Sequence, residues 1–263
     1  MTIPIYQIDA FTNKVFGGNP ASVCLLPYWL EDELMHKIAC ENNQAETAFI
    51  VRNSEVFELR WFTPTQEVDL CGHATLAAAY VIFFHLAYNH DEIRFKTLSG
   101  PVSISLGEKS MLALDFPNRP PEEVKIPEGF IEALGSWPTK VYKSRDYMAV
   151  FETEEQIRAL TPDMDLLKKF DCLGIIATAP AKEGSEADFV SRFFAPRAGI
   201  PEDPATGSAH CTLIPYWAER LGKKEMLSHQ LSKRGGELWC ELKDDRVVIK
   251  GQAVLYLNGH IYL

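Results

Sequence analysis

The chain has 263 residues, of which 46% are hydrophobic and 24% charged, and its formal net charge is −10 at pH 7. This composition is typical of a globular protein and allows one large domain or two domains of about 130 residues. The acidic charge disfavours nonspecific binding to nucleic acid or to anionic membranes, because both need clustered lysine and arginine. No apolar run approaches the roughly 20 residues of a transmembrane helix, so we expect neither a nucleic-acid partner nor a membrane partner.

The start of the chain and its cysteines favour the cytoplasm. Residues 1–9 lack the basic flank and the apolar core of a signal peptide, so we do not expect export. The six cysteines are scattered without a CxxC pair, which fits reduced thiols better than a disulfide framework. We therefore expect a cytoplasmic protein.

The periodicity of apolar residues predicts many strands and five helices. In chain order, the predicted strands cover residues 3–10, 21–26, 47–52, 56–62, 92–97, 101–106, 110–115, 139–143, 147–151, 173–178, 188–195, 237–242, 246–250, 252–256 and 259–263. The predicted helices cover residues 31–41, 73–86, 128–135, 154–160 and 208–221. The helix at 73–86 is nearly all apolar, so we expect it to be buried on most faces.

One stretch of the chain occurs twice. Residues 60–64 (RWFTP) match residues 192–196 (RFFAP), which lie 132 positions later. A short loop with acidic residues follows each copy, and then Gly-polar-Ala at residues 72–74 and 207–209, at the start of a helix-like run. This matched order indicates an internal duplication, although one domain with a coincidental repeat stays open.

The duplication predicts an α+β fold of two pseudo-symmetric domains. Each is expected to be a mostly antiparallel, curled, barrel-like sheet around a central helix. The proline-rich stretch 116–121 is the best linker candidate, because proline stiffens the chain and removes hydrogen-bond donors. We therefore place the domains at residues 1–115 and 116–263, with the last strand left open between them.

The two glycine turns are candidate anion sites. The backbone amides at a helix start have no intrahelical partner, and the helix dipole adds about half a positive charge there. The amides of Gly72 and Gly207, with those of the two residues after each, could therefore bind a carboxylate if both turns face one cleft. Either turn alone is better explained as a plain helix start capped by Asp69 or Asp203.

Three titratable residues need separate arguments. Cys71 and His73 are too few and too close together to predict a metal site. A cysteine-pair racemase would need a second thiol in the matching stretch 203–206, which has none, so an inert buried thiol is favoured for Cys71. Glu46 follows a predicted helix and would be a useful acid or base only if it were buried.

The motifs together resemble the PhzF-like (phenazine-biosynthesis-like) family of the diaminopimelate-epimerase-like superfamily. The resemblance covers essentially the whole chain, and the ordered set of motifs is specific. The motifs are Asp9–Thr12 with Phe16–Ala21, Glu46–Phe49, Arg60–Pro64, Leu70–Thr75, Phe194–Pro196, Glu202–His210 and Ser232–Gly236.

The resemblance implies an active site in a cleft between the domains, a homodimer and no cofactor. The family's proton-moving glutamate matches Glu46, its active-site histidine, aspartate and serine match His73, Asp203 and Ser208, and the asparagine of its Gly-Asn-Pro turn matches Asn19. The helix-start residues Gly72, Ala74, Gly207 and Ala209 complete the expected substrate or anion site. One departure is local: Gln44-Ala45 stands where a serine is expected directly before the glutamate.

The sequence therefore predicts a cofactor-independent isomerase that moves a proton on a small carboxylate-bearing substrate. Glu46 is the expected acid and base, His73 and Asp203 position polar groups or relay the proton, and Ser208 holds the carboxylate. Two alternatives stay open. One is an amino-acid racemase or epimerase, and the other is a non-catalytic protein that binds an anion or metabolite in the same cleft.

Overall fold

A computed structural model describes residues 1–53 and 56–263. The chain divides into two compact units: residues 1–115 together with 250–263, and residues 116–249. The last strand, which the sequence left open, therefore belongs to the first unit. The predicted α+β class is confirmed, with many strands and few helices.

The elements follow in chain order. The strands are β1 Thr2–Ala10, β2 Asn19–Leu26, β3 Glu46–Asn53, β4 Val56–Phe62, β5 Glu67–Val68, β6 Glu92–Thr97, β7 Gly100–Leu106, β8 Leu112–Pro117, β9 Glu122–Val124, β10 Lys140–Lys143, β11 Tyr147–Val150, β12 Ile175–Pro180, β13 Phe189–Ala195, β14 Ile200–Asp203, β15 Glu225–Gln230, β16 Gly236–Lys243, β17 Arg246–Gly251 and β18 Ala253–Tyr262. The helices are α1 Asp32–Asn42, α2 Gly72–His85, α3 Phe130–Leu134, α4 Glu154–Ala159, α5 Met164–Leu167 and α6 Gly207–Leu221. No helix in the described part of the chain is long and apolar enough to span a membrane.

The first unit is a mixed sheet that packs against an apolar helix. β1 pairs antiparallel with both β18 and β2, β2 runs parallel to β3, and β3 pairs antiparallel with β4. β4 then runs parallel to β6, which begins the antiparallel series β6, β7 and β8. Helix α2 packs against β1, β2, β3, β7 and β18 and is buried along most of its length, as the sequence predicted. Helix α1 packs separately against β3 and β4.

The second unit repeats this pairing order. β10 pairs antiparallel with β9 and β11, β11 runs parallel to β12, and β12 pairs antiparallel with β13. β13 runs parallel to β15, which pairs antiparallel with β16. Helix α6 occupies the place in the chain order that α2 has in the first unit, between the fourth and fifth strands of this series. The repeated topology supports the duplication inferred from the sequence.

Each copy of the repeated motif makes the same ion pair. Arg60 donates from Nε and Nη2 to the two carboxylate oxygens of Glu67, both at 2.7 Å. Arg192 donates in the same way to Glu202, at 2.7 and 3.0 Å. Two parallel hydrogen bonds of this kind fix direction as well as distance. These ion pairs join β5 to β4 in the first unit and β14 to β13 in the second. Each lies shortly before the central helix of its unit, α2 or α6.

A proline inside α6 explains how the start of the second unit is attached. Pro215 has no backbone amide, so the carbonyl of Cys211 four residues earlier loses its helical partner. The backbone amide of Arg119 donates to that carbonyl at 2.8 Å. This hydrogen bond holds the predicted linker, residues 116–121, against α6.

Two groups of sequence predictions need correction. The strands predicted at 252–256 and 259–263 form one strand, β18, because Gly259 keeps its pairing with Ile5 of β1. β15 was not predicted, because Ser228 and Gln230 look like exposed polar residues but are buried and hydrogen-bonded. The short elements β5, β9, β14 and α5 were also missed, because they are too short to show a period.

Gly174, directly before β12, lies in van der Waals contact with an aromatic ring. A Cβ atom at this position would lie 2.2 Å from Cζ of Phe193 and under 3 Å from two further ring atoms. Phe193 is itself buried, so the ring has little room to move.

We expect Gly174→Ala to lower the free energy of unfolding by about 1–3 kcal/mol, the usual cost of overpacking a core. Gly259→Ala is the matched control, because a Cβ there meets no atom within 4 Å. Urea denaturation of both variants measures the difference. Equal stability of the two variants would contradict the packing described for Phe193.

Candidate active site

Two turns of the first unit bring candidate residues to the ends of buried elements. Helix α1 ends at Asn43, whose left-handed backbone (φ 48°) turns the chain toward Glu46, the first residue of β3. Asn19 is the first residue of β2 and follows Gly18, where a Cβ would lie 2.0 Å from the carbonyl oxygen of Ala10. Gly18 also has a φ of +57°, so this turn needs glycine at that position.

His73, the second residue of α2, lies between several of these residues. Its Nδ1 is 3.1 Å from Nδ2 of Asn19 and 3.5 Å from Sγ of Cys71. Its Nε2 is 3.1 Å from Oε2 of Glu46. Nε2 carries a hydrogen that faces Glu46 both in the imidazolium and in the neutral ring whose Nδ1 accepts from the Asn19 amide.

The contact between Glu46 and His73 is buried and incomplete as a hydrogen bond. The two side chains are only 12% and 6% exposed. Their facing atoms are at ion-pair distance, yet within the described residues neither atom has a partner with hydrogen-bond geometry. Buried polar atoms are normally satisfied, so such a pair is typical of a site that acts on a third molecule.

Burial and neighbouring groups change the pKa values of two residues here. Burial by itself lowers the pKa of His73, but Cys71 and Glu46 favour the imidazolium more strongly, so the pKa lies well above its usual value. Burial, with a contribution from Glu46, raises the pKa of the Cys71 thiol. At neutral pH Cys71 is a neutral thiol, so the Glu46 carboxylate is the charged neighbour that favours the imidazolium form of His73.

The same residues are a possible set of metal ligands. One ligand atom each from Glu46, Cys71 and His73 can be chosen so that all lie within 4.8 Å of one another, and this is the one such set in the described part of the chain. The imidazole, however, directs a different nitrogen toward each neighbour. A single ion could contact all three only after the ring rotates, so the observed arrangement fits a proton relay better than a metal site.

The second unit contains Asp203, Gly207, Ser208 and Ala209. Thr206, the residue before α6, donates from Oγ1 to Oδ2 of Asp203 instead of capping the helix. Gln230 accepts from the amide of Thr206 at 2.8 Å and donates to the Asp203 carbonyl at 2.7 Å. These bonds fix the turn while the Thr206 side chain leaves the first amides of α6 uncapped. Cys71, before α2, likewise makes no side-chain cap.

Ser208 has a charged partner that the sequence did not suggest. Arg145 donates from Nη2 to Oγ of Ser208 at 3.2 Å. His210, two residues further into the helix, is buried between Oγ of Ser228 and the carbonyl of Thr206, and burial lowers its pKa to about 4. It is therefore neutral and supports the turn structurally.

Strand register identifies the equivalent positions of the two units. Aligning Arg60 with Arg192 pairs Glu46 with Gly174, through the ladders β3–β4 and β12–β13. Aligning the helix starts pairs Cys71 with Thr206, and likewise His73 with Ser208. The positions that match Glu46 and His73 thus hold no titratable side chain, and no second thiol exists at the position matching Cys71.

The sequence predicts most of these residues but not their partners. Glu46, His73, Asn19, Gly72 and Ala74 are grouped in the first unit. Arg145 and Gln230 were missed because each acts on a turn that is distant in sequence. The only signal for Arg145 was its place in a short polar turn between two strands, which is not specific.

Comparisons with known proteins were made on the sequence and on the structure. The model of the PhzC-PhzF family, described as phenazine biosynthesis-like protein, matches residues 8–259. An uncharacterized isomerase of Pseudomonas aeruginosa is 48% identical over 263 residues, covering all of both chains. The crystal structure of a phenazine biosynthesis protein of the PhzF family from Enterococcus faecalis has a TM-score of 0.96 at 44% identity, covering all of both chains. A hydroxyproline epimerase from Agrobacterium vitis, at 9% identity and a TM-score of 0.64, covers 99% of this chain and 92% of its own and shares the fold alone.

The raised pKa of His73 predicts a pH dependence of stability. Folding favours the protonated form, so this contribution is complete below about pH 6.5, the usual pKa of histidine, and is lost as pH rises through the folded-state value. We expect the unfolding free energy of the wild type to fall above about pH 6.5 by up to about 1.4 kcal/mol per pH unit relative to His73→Gln. Urea denaturation between pH 5 and 9 measures both proteins, and identical pH slopes would show that His73 is not held charged.

Proposed function

We propose that this chain, which belongs to the PhzC-PhzF family of phenazine biosynthesis-like proteins, is an isomerase that moves a proton on a small carboxylate-bearing molecule and needs no cofactor. Relatives at 48% and 49% identity carry the name isomerase, which supports the general reaction class. The finer proposal rests on one observation, the buried pair of Glu46 and His73 at 3.1 Å.

The chemistry proposed for the pair is abstraction and return of a proton. Glu46 takes the proton from a carbon next to, or conjugated with, the carboxylate of the substrate, and later returns it to another position. The positive charge of His73 offsets the cost of burying the Glu46 carboxylate, because an opposite charge is close by. Asn19 holds the imidazole so that Nε2 faces Glu46.

The helix starts are proposed to bind negative charge. The carboxylate gains charge when the neighbouring carbon loses its proton, and preorganised amides stabilise such charge. In the first unit the candidate donors are the amides of Gly72, His73 and Ala74. In the second unit we assign the carboxylate-binding role to Ser208 with the first amides of α6. Asp203 holds the turn through Thr206, which makes it a positioning residue.

The racemase or epimerase alternative has less support. A two-base mechanism with thiols needs a second cysteine, and Thr206 occupies the position that matches Cys71. The raised pKa of Cys71 also works against a thiolate base. The remaining alternative, a non-catalytic binding protein, predicts anion binding without exchange of any ligand proton with solvent.

Glu46→Gln tests the proposed base. We expect it to lower the rate of solvent-proton exchange at least about 100-fold, because it removes general acid–base catalysis, while ligand affinity changes little. The measurement is a screen of small carboxylic acids in deuterated water, with mass shifts that depend on the protein.

The matched control is Glu33→Gln, which removes the same charge from an exposed side chain of α1. Wild-type exchange in Glu46→Gln would remove this residue from the mechanism. A wild type that binds acids but never exchanges their protons would favour the non-catalytic alternative.

Cys71→Ala separates the proposal from a thiol mechanism. We expect the variant to keep its turnover to within about tenfold of the wild type, since a neutral thiol beside His73 contributes packing and no proton transfer. Exchange rates in the same deuterium assay, together with a thermal melt that verifies folding, provide the comparison. Complete loss of turnover in the folded variant would revive a cysteine base.

A further inference from the structure

One cation of the second unit has no part in the mechanism above. Arg145 lies in the turn between β10 and β11, and its side chain is 31% exposed. Its Nη2 donates to Oγ of Ser208 at 3.2 Å, across 63 residues of sequence. Ser208 is the residue to which we assign the binding of a carboxylate, so the charge next to it bears on what the site can accept.

A buried carboxylate fixes the orientation of this arginine. Nε and Nη2 of Arg145 donate to the same oxygen of Asp146, at 3.0 and 2.6 Å. The other oxygen of Asp146 accepts from the backbone amide of Gly174 at 3.1 Å, and Asp146 is 1% exposed. The guanidinium is therefore preorganised, whereas Nη1 has no hydrogen-bond partner among the residues that the structure describes.

The direction of the hydrogen bond determines the role of the Ser208 hydroxyl. A guanidinium can only donate, so Oγ of Ser208 is the acceptor in this contact. The hydroxyl hydrogen then stays free to donate to a different group. Ser208 is thus presented as a donor, at a helix start whose own amides are also donors, which suits an acceptor such as a carboxylate and disfavours a group that must donate.

The surrounding charges support this reading of the site. Burial raises the pKa of Cys211, one turn after Ser208, to about 11, while the charges of Arg119, Arg145 and Arg246 act in the opposite direction. Three cations therefore influence the first two turns of α6, in a chain whose net charge is −10.

The duplication makes Arg145 equivalent to a residue that directly follows Asn19 in the first unit. The register of the ladders β2–β3 and β11–β12 pairs Ser22 with Tyr147, so Arg145 matches Pro20, the neighbour of Asn19. In the first unit, the turn before β2 places Asn19 next to His73. In the second unit, the equivalent turn before β11 places Arg145 next to Ser208. His73 and Ser208 are themselves equivalent, so the same turn acts on the same helix position in both units.

We propose that Arg145 is the residue that makes the α6 site selective for carboxylates over neutral groups, by orienting Ser208 as a donor and by supplying positive charge. This inference rests on the anion-binding role proposed above for Ser208. Arg145 is a positioning and specificity residue and takes no part in proton transfer. The ligand class is a carboxylic acid in its ionised form, and the uncharged amide of the same shape binds more weakly.

Benzoate and benzamide are suitable probes, because they differ in charge and not in shape. Titration of the full-length, ¹⁵N-labelled protein, followed at the amide signals of Gly207 and Ser208, reports on α6 alone. We expect the wild type to bind benzoate in preference to benzamide, more weakly as salt is added. We expect Arg145→Gln to weaken benzoate binding about tenfold or more, to leave benzamide unchanged and to reduce the salt dependence.

Two further variants make the result decisive. Arg145→Lys keeps the positive charge but loses the planar guanidinium with its paired donors. We therefore expect it to keep the preference for benzoate, with a smaller loss of affinity than Arg145→Gln. It also replaces Arg145→Gln in the test if that variant does not fold. Arg94→Gln removes one charge from an exposed side chain and should bind both probes as the wild type does. Unchanged benzoate affinity in both Arg145 variants, or equal weakening of both probes, would overturn the proposal.

The outcome is independent of the proton-transfer proposal. Benzoate selectivity that depends on Arg145, in a protein that exchanges no proton, would overturn the isomerase proposal alone. Proton exchange in a protein whose selectivity ignores Arg145 would overturn this inference alone. With an exchange substrate available, Arg145→Gln should raise KM more than it lowers kcat.

Discussion

The first unit depends on the burial of α2, a helix with apolar residues on almost every face. Such a helix is stable only when neighbouring elements cover it, and here β1, β2, β3, β7 and β18 all pack against it. Its first turn is consequently enclosed as well, together with His73. The burial that stabilises the fold therefore also encloses the His73 imidazole beside Glu46 and Cys71, which shift its pKa. This links the packing of the unit to its proposed chemistry.

The two units share a framework and differ in the groups they carry. The paired Arg–Glu contacts recur in both, as does the order of strand pairing, so the framework tolerates different residues at the helix starts. Where the first unit has Glu46, the second has Gly174, with the ring of Phe193 in the space of a side chain. The amide of Gly174 instead holds Asp146. One half thus carries titratable groups and the other a fixed set of hydrogen-bond donors.

The anion binding proposed for this acidic protein rests on local donors and cations. At ordinary salt concentration the repulsion from distant carboxylates is screened within about 10 Å, whereas amides and a guanidinium act at contact distance. The residue before each central helix leaves the first amides uncapped: Thr206 bonds to Asp203, and Cys71 makes no side-chain cap. Overall charge therefore says little about this site, and the proposed preference for carboxylates rests on the orientation of a few groups.

The sequence by itself determined the duplication, most strand and helix positions and the burial of α2, and through family resemblance it selected Glu46, His73 and Ser208 as candidate residues. These depend on periodicity, glycine turns and ordered motifs, which are local properties. Only the tertiary structure decided which polar groups meet, because the partners are distant in sequence: Asn19 and His73 are 54 residues apart, and Arg145 and Ser208 are 63. The same reason hid β15, whose polar residues are compatible with burial only when partners from other elements satisfy their hydrogen bonds.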